Sequence, residues 1–206
     1  MRFLVLSSLL ILLLVGCTPV YKNLHAATGD IHHIDQFKPA YSVALYNTAV
    51  NVTTHHLSGL LLVKTMPDSS VRTVFSSEMG LKFFDFEFGH DGSFKVNYII
   101  KQMNKKPVIK TLRKDFDLML MRRRNFSTAY LRKDGELVYY VFPQKKGSFC
   151  YITNAVGDSL QRMEIASRKK PIVVATMQHY NNGIPDTIGI THKNFKFTIE
   201  LKKIER

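Results

Sequence analysis

From residue 41 to residue 204 the chain is a succession of short runs in which apolar and polar side chains alternate, cut at intervals by Gly, Asn, Asp and Pro. No other feature constrains the fold as much. A period of two buries one face of a strand and wets the other. The runs span 42–54, 57–66, 71–77, 81–88, 93–100, 129–133, 136–142, 148–154, 159–166, 172–180, 187–192 and 195–204. Between them stand MPDSS, GHDGS, KDGE, QKKGS, VGDS, NNGIPD and HKN, which carry the residues that hairpin turns require. Connections this short favour antiparallel neighbours over crossover units.

One segment breaks the pattern. Across residues 107–121, Ile109, Leu112, Phe116 and Met119 recur at spacings of three and four, as on one face of a helix. Pro107 suits the first helical position, and Arg122, Arg123 and Arg124 follow where cations complement the C-terminal dipole. The expected architecture is mainly β: a large curled antiparallel sheet, an unclosed half-barrel, with one helix inserted midway.

Phe84, Phe86 and Phe88 share one face of their run, while Asp85, Glu87 and Phe83 share the other. Leu61 and Val63 oppose Lys64, and Phe195, Phe197, Ile199 and Leu201 line one face near the end. A single amphipathic sheet this wide must curl and cover its apolar face. One helix is scant cover, so a sheet closed part-way round it would leave an apolar hollow. Leu61, Val63, Phe75, Phe84, Phe86, Phe88, Phe197 and Ile199 are the expected lining and the candidate acyl-chain site. A tightly packed sheet-and-helix core satisfies the same alternation.

The first residues read differently. Met1-Arg2 is a short positive region, and residues 3–15 are apolar apart from Ser7-Ser8, too short to span a bilayer, which takes about 20 residues. Leu14-Val15-Gly16-Cys17 resembles the lipobox of bacterial lipoproteins. The resemblance implies cleavage before Cys17, a diacylglycerol on its thiol and usually an acylated amino group. One acyl chain binds a membrane only marginally, whereas two or three anchor it firmly. Expected divisions are a signal peptide at 1–16, a lipidated tether at 17–40 and a folded domain at 41–206. Extended, the tether would reach on the order of 75 Å at about 3.3 Å per residue. Thr18, in place of Asp, argues by analogy with enteric lipoproteins for the outer membrane. The domain would face the periplasm or the cell surface. With Cys17 lipidated, Cys150 has no partner, and in SFCYIT it reads as a small buried hydrophobe.

The order of parts resembles a family. A lipobox and tether are followed by LSGLLLVK, a hairpin, EMGLKFFDFEF, a helix, and a C-terminal IPDTIGITHKNFKFTIELKKI. This is similar to LolB and its relatives of the LolA/LolB-like fold, over residues 55–121 and 180–204. The resemblance implies an unclosed antiparallel β-barrel plugged by helices, in an outer-membrane lipoprotein that receives lipoproteins from a LolA-like periplasmic carrier. It also implies an apolar residue on a projecting loop that meets the membrane, for which Met66-Pro67 is the candidate. Two departures stand out: the chain has no tryptophan, and residues 125–175 match nothing in the family.

No catalytic constellation accompanies these features: there is no G-x-S-x-G, Walker loop or H-E-x-x-H. The pairs His32-His33 and His55-His56 cannot chelate one metal from an extended segment, because neighbours on a strand point to opposite faces. The expectation is a protein without enzymatic activity, metal or cofactor. Lys plus Arg number 29 against 16 Asp plus Glu, a net charge of +13. An export signal argues against nucleic acid as the partner. Lys105-Lys106, Arg122–Arg124, Lys145-Lys146 and Lys169-Lys170 would suit phosphate head groups if brought to one rim, and are otherwise solvated turns. Two functions fit. The first is an outer-membrane lipoprotein that holds acyl chains in its hollow for lipoprotein localisation or lipid handling. The second is a lipid-anchored interaction module of an envelope complex, with a filled core.

Overall fold

The structure, a computed structural model, describes residues 21–205; the lipobox with Cys17 lies outside the described residues. The elements in chain order are β1 (His25–Ala27), a 3-10 helix (Ile31–Phe37), β2 (Val43–Val52), β3 (His55–Thr65), β4 (Val71–Ser76), β5 (Lys82–Phe88) and β6 (Phe94–Ile99). Then come α1 (Lys106–Met119), a 3-10 turn (Phe126–Thr128), β7 (Tyr130–Asp134), β8 (Leu137–Pro143), β9 (Ser148–Asn154) and β10 (Leu160–Ala166). The chain closes with β11 (Pro171–Asn181), β12 (Ile184–His192) and β13 (Phe197–Lys203).

All thirteen strands form one sheet in the order β1-β7-β8-β9-β10-β11-β12-β13-β2-β3-β4-β5-β6. Every pairing is antiparallel, and β1 and β6 are free edges, so the sheet curls without closing. The β13–β2 pairing, with Ile199 opposite Val50, joins the C-terminal meander to the N-terminal one. Each of the twelve expected runs is a strand, and the expected helix is α1. Gly59 sits where β4 leaves the ladder: a Cβ there would lie 2.1 Å from the Ser76 carbonyl oxygen, so a larger residue forces the two strands apart. A β-bulge between Phe75 and Ser76 lets the consecutive Phe83 and Phe84 both join the core.

The stretch expected to be a tether is a correction. Residues 25–37 belong to the fold: β1 pairs with β7, Ala26 opposite Arg132, and covers part of an edge strand that would otherwise expose its backbone groups. The 3-10 helix is capped by the Asp30 side chain, which accepts from the His32 amide, and buries Ile34 completely. Upstream, Tyr21 and Leu24 pack on the outer face of β8–β10 against Tyr139, Val141, Cys150 and Ile152. The Tyr21 hydroxyl donates to Glu164 there. This second, smaller cluster explains why those strands are buried on both faces. It also buries Cys150, whose thiol is pushed up to about 12, chiefly by desolvation.

Candidate functional site

The sheet's concave face and α1 enclose the principal core. Leu61, Val63, Phe75, Phe84, Phe86, Phe88, Phe197 and Ile199 all belong to it, none more than 5% exposed, together with Leu112, Phe116 and Met119 of α1. The eight residues share a face because each lies at an inward register position of its strand. Phe84 stacks on Phe86 at 4.5 Å between ring centres, and Phe116 meets Phe84 edge-on at 5.7 Å.

The interior is filled. Between α1 and the sheet remains a void of about 20 Å³, lined by Leu57, Leu61, Phe75, Phe84 and Ile199 from the strands and by Met103, Leu112 and Phe116 from the helical side. That is room for about one water molecule. Val63, Phe86, Phe88 and Phe197 do not reach it.

The two ends of α1 are held differently. At its start Lys105 makes no side-chain cap. At its end Met121 takes a left-handed conformation, φ 50°, and the amides of Met121 and Arg122 bond the carbonyls of Leu118 and Asp117, both at 3.0 Å. The Arg122 guanidinium then donates to the Phe88 and Gly89 carbonyls of the neighbouring strand end. Midway, the helix is tied to the sheet by one buried polar contact, His192 Nε2 to Asp115 Oδ2 at 3.0 Å. Asp115 Oδ1 has no partner, and burial pushes this carboxyl above its usual range, the His192 hydrogen bond offsetting only part. Reading the sequence missed this pair. The signal was an Asp three residues after Leu112 and four before Met119, on the apolar face of the helix.

Of the four cationic clusters, three converge. Arg122–Arg124 and Lys145 line one groove, and Gln144 donates to the Arg123 carbonyl at 2.9 Å. The Lys169-Lys170 tip lies against the Lys145-Lys146 tip, since Gly147, at φ +80°, packs directly on the Ala166 carbonyl. Lys105-Lys106 sit at the other end of α1. The Met66-Pro67 turn is a hairpin tip in which Met66 is half-buried and Pro67 exposed. Among the described residues the most exposed large apolar side chain is Met79, 95% exposed between β4 and β5, beside Leu81. His33 and His56 bond Gly157 and Asn51, and among the described residues no cluster of three His, Cys, Asp or Glu could hold a metal.

No family model and no curated protein matches the chain in sequence. Solved structures do match its fold. A LolA superfamily protein from Nitrosomonas europaea superposes with a TM-score of 0.52 at 8% identity, over 87% of this chain and 93% of its own. A domain described as an outer membrane lipoprotein-sorting protein from Vibrio parahaemolyticus gives 0.49 at 6% identity, over 85% and 90%. The first likeness shows the fold: a mainly β, unclosed antiparallel sheet like that of the Nitrosomonas europaea protein.

Proposed function

We propose that this protein is a non-enzymatic, LolB-like lipoprotein that takes acyl chains beneath α1, in lipoprotein localisation or lipid handling. Cys17 would anchor it to the outer membrane, with the domain facing the periplasm and a LolA-like carrier as its partner. The Met66-Pro67 tip, with Pro67 exposed, and Met79, 95% exposed on the next hairpin, would meet the membrane. The observation that carries the reading is the asymmetry of α1. The N-terminal end has no side-chain cap, a small apolar void lies beneath the middle of the helix at Leu112 and Phe116 and reaches Met103 before it, and the C-terminal end is fixed by Met121 and Arg122. A helix held in this way opens by swinging its first turns outward, which exposes Leu61, Phe75, Phe84 and Ile199 to a chain.

The filled interior favours a second reading, a lipid-anchored interaction module that never opens. Phe116→Ala separates the two. Truncating this residue enlarges the void and costs about 3–5 kcal/mol of stability. In native mass spectrometry with palmitate offered to the full chain, the carrier reading predicts one bound fatty acid in the wild type and tighter uptake by the variant. Absence of uptake in both would establish the module.

A further inference from the structure

A groove of about 910 Å³ opens at the C-terminal end of α1, between the β3–β4, β5–β6 and β8–β9 hairpin tips. Its walls carry Lys38, Arg122, Arg123, Arg124 and Lys145 and no carboxylate. Val71 and Phe126, both half-buried, give the same lining its apolar surface, over the buried Tyr41, Leu120 and Met121. Of the carboxylates close by, Asp117 is paired with Arg122 and Arg123 and Asp35 with Arg124, while Asp68 and Asp91, on the flanking hairpin tips, accept from Ser70 and Ser93, and Asp91 lies within electrostatic reach of Arg122. Lys38 and Lys145 are exposed and make no ion pair among the described residues. The groove's edge continues into Lys146 and the Arg168–Lys170 tip, all exposed, so surplus positive charge extends beyond the walls. The helix C-terminal dipole faces this end and opposes an anion. The three arginines lie where they offset it, which leaves the lysines as the uncompensated charge.

We propose that this groove binds the phosphate of an anionic lipid head group, with the apolar lining receiving the first carbons of its tail. A lipid phosphate supplies what the walls lack, negative charge joined to apolar surface. Guanidinium and ammonium groups are the side chains that meet phosphate oxygens with charge-assisted hydrogen bonds. The site does not depend on acyl uptake by the interior. Phe116→Ala acts on that uptake and leaves the groove untouched, so the two readings fail separately.

The test is isothermal titration of the full chain carrying Cys17→Ser, which removes any anchor of its own. The probes are dihexanoyl phosphatidylglycerol below its micelle concentration, the phosphatidylcholine of the same chain length, and inorganic phosphate. The phosphatidylglycerol binds several-fold more tightly than either of the others and weakens with salt. Lys38→Gln with Lys145→Gln lowers its affinity by roughly two- to fivefold per lysine, the range of exposed charge pairs. Lys105→Gln with Lys106→Gln, the same loss of charge at the far end of α1, leaves it unchanged. Equal binding of the two lipids, or equal effects of the two double variants, overturns the proposal. Inorganic phosphate binding as tightly as phosphatidylglycerol would make this a free-anion site and overturn the lipid assignment.

Discussion

His192 and Asp115 show how much can hang on a single polar pair. Both side chains are almost wholly buried, and the contact joins the middle of α1 to the end of β12. Removing one partner of such a pair leaves the other desolvated and unsatisfied, which costs about 3–5 kcal/mol, whereas replacing both with apolar groups is often neutral or stabilising. His192→Phe is therefore expected to lower the urea midpoint sharply, and adding Asp115→Leu to recover most of the loss. A double variant as unstable as the single one would contradict this account of the tie. Asp85 shows the opposite balance. Burial pushes its carboxyl up, but the bidentate Arg72 at 2.7 and 2.8 Å and Lys82 at 3.2 Å outweigh burial and hold it below the usual range. The folded chain then binds fewer protons than the unfolded one. The stability this contributes is present above the unfolded value of about 3.9 and is lost as pH falls through the folded one. Asp85→Asn is expected to destabilise at pH 7 and to approach the wild type at pH 3, read from urea midpoints at both. In the sequence Asp85 was legible as facing away from Phe84 and Phe86 in FFDFEF, but not as buried. Its partners were not, because register decides which cations face it.

At the scale of elements, what could be read from the sequence was whatever is local. A period of two and the turn residues beside it are properties of eight or ten consecutive residues, and all twelve strands from β2 to β13 follow from them. α1 was legible for the same reason. β1 and the Ile31–Phe37 helix were not seen as parts of the domain, since a three-residue strand has no period and its partner, β7, lies more than a hundred residues away. The outer cluster around Cys150 escaped for the same reason, because it is completed by Tyr21 and Leu24. Ile34 tests whether this segment is structural. Its side chain is fully buried against the core, so Ile34→Ala is expected to cost about 2–5 kcal/mol in denaturant unfolding. An unaltered midpoint would return residues 25–37 to the status of a tether.

For the whole molecule, alternation specifies that the sheet has one apolar face and leaves open what fills it, because a hollow and a packed interior require the same inward residues. All eight expected lining residues do face inward, yet four of them lie away from the small gap beneath α1. The interior becomes a binding site only if α1 leaves it. The helix is held at its far end by Met121 and Arg122 and at its middle by Asp115, and its start has no side-chain cap. Amide hydrogen exchange of the full chain tests that opening most directly, since elements that open sub-globally exchange at lower free energy than the surrounding structure. The account predicts that the first two turns of Lys106–Met119 exchange well before β9 and β10, and that palmitate changes the rates of the helix while leaving those strands unaltered. Exchange of α1 in step with the central strands, unaffected by palmitate, would contradict it.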